Sequence, residues 1–113
     1  MTPPAAVLRV VGDVDLAVIG ELRAALDEAV RRRPHVIVDL TRVGTIDSLG
    51  VGALVRGRNR ARRADGDLLL VAPSGFVQTV LRGMRLDAAF RVFDSVPHAL
   101  TDAAPVVVVA GDG

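Results

Sequence analysis

Three apolar runs separated by helical patterns constrain this chain more than any other feature. His35-Val36-Ile37-Val38-Asp39-Leu40 places three β-branched residues in a row, which suits a strand covered on both faces. Leu68-Leu69-Leu70-Val71-Ala72 is wholly apolar, and Val7-Leu8-Arg9-Val10-Val11 is a shorter strand closed by Gly12-Asp13. Between Val11 and His35, Ile19, Leu22, Leu26, Ala29 and Val30 recur at helical spacing. Asp15 is positioned to cap that helix, and Pro34 ends it after Arg31-Arg32-Arg33, cations that suit a helix C-terminus. Strands alternating with helices predict an α/β fold with a mixed, mostly parallel sheet of four to six strands flanked by about four helices. A chain of 113 residues without a repeat or linker is one domain.

The second half continues the alternation. A helix is expected from about Leu49 to Ala64, with Val51, Leu54 and Val55 toward the core. Gly52, Arg56, Arg60 and Arg63 fall on the opposite side, with Leu49 and Ala53 beside them. That row is either a solvated face or a docking surface for an acidic partner. Ser74 can cap a third helix whose core stripe is Val77, Val80, Leu81 and Met84. Arg91-Val92-Phe93 reads as a fourth strand, and Asp94-Ser95-Val96-Pro97 as the start of a short helix through Thr101. The core thus spans about residues 7–102, and the tail 103–113 carries four valines that read as a further strand. Left unpaired it would be prone to aggregation, so it is expected to pair with a sheet edge in its own chain or in a second copy.

The chemistry concentrates at Thr45-Ile46-Asp47-Ser48-Leu49-Gly50-Val51-Gly52-Ala53, a strand-to-helix turn. Asp and Ser are preferred helix caps, and capping alone accounts for both. A serine here also meets the free N–H groups and positive dipole end of a helix, where a phosphate is well accommodated. Each glycine in the first helical turns costs about 1 kcal/mol against alanine, which points to close approach by neighbouring backbone or by a partner.

Other chemistries find little support. Cysteine is absent, which excludes disulfides and thiolate metal sites. His35 stands without a second ligand at metal spacing, and Asp13, Asp15 and Asp47 read as turn and capping residues, so no metal or cofactor is expected. No G-x-S-x-G elbow occurs, and no P-loop is possible without a lysine. A triad using Ser48 with His35 or His98 lacks any sequence signal for an oxyanion hole, so the chain is not expected to be an enzyme. The charge is balanced at +1, with 14 basic residues, all arginine, against 13 acidic ones. Nucleic acid is therefore not an expected partner. No basic n-region with an apolar stretch opens the sequence, and no run approaches the ~18 apolar residues of a membrane span, so a cytoplasmic location is expected.

Gly12-Asp13-Val14-Asp15, Val36-Ile37-Val38-Asp39-Leu40 and Ile46-Asp47-Ser48-Leu49-Gly50-Val51-Gly52-Ala53-Leu54 follow in order. After them come Leu68-Leu69-Leu70-Val71 and Gly83-Met84-Arg85-Leu86 through Phe90 to Leu100. Across this span the sequence resembles the anti-sigma factor antagonists of the STAS domain family. The resemblance implies phosphorylation of Ser48 by a partner that is both ATP-binding serine kinase and anti-sigma factor, and a serine phosphatase that resets it. It also implies that the unphosphorylated form binds this partner and frees a sigma factor. The family often has a second hydroxyl where this chain has Leu49, which leaves Ser48 as the one acceptor in the turn. Partner contact is expected from Asp13, Asp15, Asp47, Ser48, Leu49, Gly50, Gly52, Ala53 and Arg56. The alternative is a non-switching STAS interaction module, such as a regulatory subunit of a membrane transporter. A homodimer through the valine tail is a further arrangement the sequence leaves open.

Overall fold

The computed structural model describes residues 5–94 and 106–110. The strands are β1 (Ala6–Val11), β2 (His35–Arg42), β3 (Asp67–Val71), β4 (Arg91–Phe93) and β5 (Val106–Ala110). The helices are α1 (Ile19–Arg32), α2 (Ser48–Arg63) and α3 (Gly75–Gly83), with a single 3-10 turn, Leu16–Val18, leading into α1. The sheet order is β4-β3-β2-β1-β5, and all four pairings among the described strands are parallel. Each step from β1 to β4 moves one place across the sheet in the same direction. Right-handed crossovers then put all three helices on one face.

The burial pattern agrees. On the helical face Leu8, Val10, Val36, Val38, Leu40, Leu68 and Leu70 form one core with Leu22, Leu26, Val51, Leu54, Val77 and Leu81. The alternate residues Val7, Ile37, Leu69 and Val71 form a second cluster with Ala5 on the other face. Val36, Ile37 and Val38 are each fully buried, so β2 is covered on both sides as its β-branched run predicts. The valine tail pairs within its own chain. β5 lies parallel to β1, with Val7 opposite Val106 and Val11 opposite Ala110, and converts β1 from an edge into an interior strand. The expected final helix falls on residues 94–101, of which all but Asp94 lie outside the described residues.

Two expectations about packing are corrected. Met84 is 41% exposed and not part of the core, because α3 ends at Gly83 and Met84 is its C-cap. In α2 the buried stripe is Gly50, Val51, Ala53, Leu54, Gly57 and Ala61; Val55 packs against the core as expected though only half-buried, and Ala53, expected beside the outer face, is buried. Small residues set this phase: a Cβ on Gly57 would lie 3.1 Å from Leu68 Cδ1 and 3.4 Å from Leu26 Cδ2. The helix therefore sits close to β3 and α1 along its glycine and alanine side.

Candidate functional site

The loops after β1, β2 and β3 meet at the C-terminal end of the parallel strands, where open α/β sheets place their binding sites. The β1 loop turns at Gly12, whose φ of 93° is a left-handed conformation that glycine adopts freely. Its N–H donates to the Arg42 carbonyl at 3.0 Å. Val14 N–H donates to Thr45 O at 2.9 Å and Asp47 N–H to Val14 O at 3.1 Å, a short parallel bridge that continues the β1–β2 ladder past both strands. Ser74 Oγ donates to Gly44 O at 3.4 Å and joins the third loop to the second.

Asp47 is the N-cap of α2. Its backbone is extended, and its Oδ1 accepts from Gly50 N–H at 2.9 Å. That occupies one of the free donors of the first turn. Ser48 is the first helical residue and is exposed; no described residue hydrogen-bonds its hydroxyl. Asp15 caps the 3-10 turn, not α1 itself, accepting from Ala17 N–H at 3.0 Å. Asp13, Asp15 and Asp47 are all exposed and carry no ion pair among the described residues. No group of three or more potential ligands is placed to hold a metal ion among the described residues.

Of the other residues singled out from sequence, Leu49 is 43% exposed and Gly52 is exposed. Gly50 and Ala53 are not at the surface. A Cβ on Gly50 would lie 2.7 Å from both Ile46 Cγ1 and Val14 Cγ1, so its close approach is internal and locks α2 against the bridged loops. Around Gly52 there is nothing within 4 Å of such a Cβ, and no packing among the described residues requires a glycine there. Arg56 is exposed and reaches Asp27 of α1 at 3.7 Å, while Arg60 holds the same carboxylate at 2.6 Å.

Two residues at this end escape sequence reasoning: Leu16, 73% exposed, and Phe76, 52% exposed. Their signal was phase, since each is a large apolar residue that falls outside the core stripe of its helix. Asp39 also escapes it. This carboxylate is only 7% exposed, on the sheet face opposite the helices. Burial pushes its pKa up, but the Thr41 hydroxyl and amide and the Arg9 guanidinium, 3.3 Å away, outweigh that and hold it below the ordinary carboxylate value.

A parallel sheet with its helices on one face, three knitted loops, and a serine displayed on a helix N-terminus define a small domain of the α/β class. The STAS domain profile matches residues 1–99, and the chain belongs to the STAS domain family. Three solved structures are similar in fold. A candidate anti-sigma factor antagonist from Thermotoga maritima superposes with a TM-score of 0.71 at 22% identity, covering 78% of this chain and 77% of that one. The anti-sigma factor antagonist SpoIIAA in its unphosphorylated form gives 0.68 at 20% identity over 83% of each chain. A sulfate transporter family protein from Wolinella succinogenes gives 0.72 at 25% identity, covering 88% and 86%.

Proposed function

We propose that this chain is an anti-sigma factor antagonist whose partner binding is switched by phosphorylation of Ser48. The observation that carries the reading is Ser48 itself: an exposed, unengaged hydroxyl at the first position of α2, beside a cap that fixes the turn. In the reaction the Ser48 hydroxyl oxygen attacks the γ-phosphorus of ATP bound to the kinase, ADP leaves, and the hydroxyl proton passes to the kinase. A phosphatase reverses the state by hydrolysis, releasing inorganic phosphate and restoring the hydroxyl. This chain supplies the acceptor and the recognition surface and no catalytic group.

Phosphate adds about −1.5 to −2 charge. At the N-terminus of α2 it gains about 0.3–2 kcal/mol from the free N–H groups and the dipole, so the domain stays folded. At an interface the same dianion must be desolvated or set against partner carboxylates, at a cost of several kcal/mol. Each 1.4 kcal/mol is tenfold in affinity, which brings a loss of roughly a thousandfold within reach. The unphosphorylated form holds the anti-sigma kinase, and the phosphorylated form releases it.

The test is mass mapping of the peptide carrying Ser48 from protein isolated from its own host, joined to binding of a Ser48→Glu variant to an anti-sigma factor kinase of that host. Phosphate on Ser48 and a folded variant with lost affinity are expected. Wild-type affinity for Ser48→Glu would count against the switch. A second reading, a constitutive docking module on a membrane transporter, draws on the likeness to the sulfate transporter family protein. It expects an unmodified Ser48 under all growth conditions.

A further inference from the structure

α2 carries five arginines and no acidic residue. Arg56 and Arg60 lie one turn apart, as do Arg58 and Arg62, so like charges face each other along the helix and weaken it. A merely solvated face would more simply alternate acids with bases. Asp27 answers Arg56 and Arg60, and Glu28 answers Arg31 and Arg32, but Arg63 has no ion-pair partner among the described residues. The row lines an open groove of about 600 Å³ formed by Gly52, Val55, Arg56, Asn59, Arg60 and Arg63. It adjoins a second hollow of about 420 Å³ at Val30, Arg31 and Ala64, between the C-terminal ends of α1 and α2. Gly52, where an added Cβ would meet nothing within 4 Å among the described residues, forms its bare upper end.

We infer that this groove is a docking site for an acidic segment of a protein partner, laid along α2 from Gly52 to Arg63. The guanidinium groups of Arg56, Arg60 and Arg63 pair with carboxylates, for which their planar forks are shaped. An apolar side chain of the segment rests on Val55, and the absent side chain of Gly52 lets its backbone come close. The short extent of the arginine row favours a protein segment over nucleic acid. A duplex carries a charge about every 1.7 Å and would run past the short arginine row onto the exposed Asp47, Asp15 and Asp13 beyond its upper end. The groove also has no aromatic lining on which a base could stack. A peptide can place carboxylates opposite the arginines alone. The site stands whether or not Ser48 is phosphorylated.

The experiment uses the full, unmodified chain and a short synthetic helical peptide with glutamates on one face and a leucine at its centre. Its controls are the same peptide with glutamines and a single-stranded oligonucleotide of equal charge. Fluorescence anisotropy should show the glutamate peptide binding, weakening with salt, and binding about tenfold less well to Arg63→Gln, whose melting temperature should match wild type. Gly52→Leu should also weaken binding without loss of stability, because no described residue crowds that position. No binding of the glutamate peptide, equal binding of the glutamine peptide, an unaffected Arg63→Gln, or equally tight oligonucleotide binding would each overturn the inference. Since Ser48 is unmodified throughout, a negative result leaves the phosphorylation test separately decidable.

Discussion

Gly50 and Gly52 are two residues apart in one helix and do opposite things, and single-residue substitution should separate them. An alanine at either gains about 1 kcal/mol of helix propensity. At Gly50 the new methyl meets Ile46 and Val14 side chains that are 4% and 2% exposed and have nowhere to go. Overpacking of this kind costs about 1–3 kcal/mol, so Gly50→Ala should be destabilised in urea unfolding while Gly52→Ala should be stabilised by up to about 1 kcal/mol. Equal effects of the same sign would contradict the packing. Asp39 sets the acid limit on stability. Its carboxyl is held below the ordinary carboxylate value in the folded state, so its contribution is complete at neutral pH and is lost in acid as pH falls through the folded pKa. Asp39→Asn keeps the shape but drops the ion pair with Arg9; it should cost about 1–2 kcal/mol at neutral pH and unfold with a shallower acid limb than wild type. The sequence carried a faint sign of this in the lone acid of an apolar strand two residues before a threonine, the spacing at which an Asp side chain bonds its neighbouring backbone.

At the scale of elements, the strands and the buried stripes of α1 and α3 were legible, and the small-residue side of α2 was not. β-branched and leucine runs can hardly be anything but buried strands, and β1, β2 and β3 fall where those runs lie. A helical wheel weighs large apolar side chains, and it put Val55 inward and Ala53 outward. The protein also buries Gly50, Ala53, Gly57 and Ala61; Gly57 lies close against Leu26 and Leu68, and Gly50 against Ile46 and Val14. Such a stripe of small residues has little hydrophobicity to announce it, and only the neighbouring elements reveal its purpose. The same blindness hid Leu16 and Phe76, whose exposure is decided by where two other loops stand. The arginine row was visible in the sequence, but its tie to α1 was not, since Asp27 lies 33 positions before Arg60. That tie is partly exposed and should be modest. Asp27→Asn is expected to cost about 0.2–1 kcal/mol by chemical denaturation, and to leave the fold of α1 and α2 unchanged by circular dichroism.

The whole molecule depends on how the sheet ends. β4 is a three-residue edge with Arg91 stacked 5.5 Å from the Phe93 ring centre, short and charged in the manner that discourages pairing with other chains. The other edge is β5, and behind it β1 presents Ala6, Val7, Leu8, Val10 and Val11 with Arg9 as its single charge. Without β5, that apolar strand would expose its outer row of N–H and C=O groups over most of its length, which is the usual template for unwanted pairing. Deleting residues 106–113 should therefore lower stability and promote association together. The melting temperature should fall by about 4–8 °C for each kcal/mol lost, and light scattering should show a concentration-dependent rise in mass. Hydrogen exchange gives the more specific signature. β1 amides that donate to β2 should stay protected, whereas the alternating amides that face β5 should exchange quickly. A truncated chain that keeps its melting temperature, its mass and the protection of both sets of amides would mean that β5 contributes nothing to the sheet, and the role of the valine tail would have to be sought outside the fold.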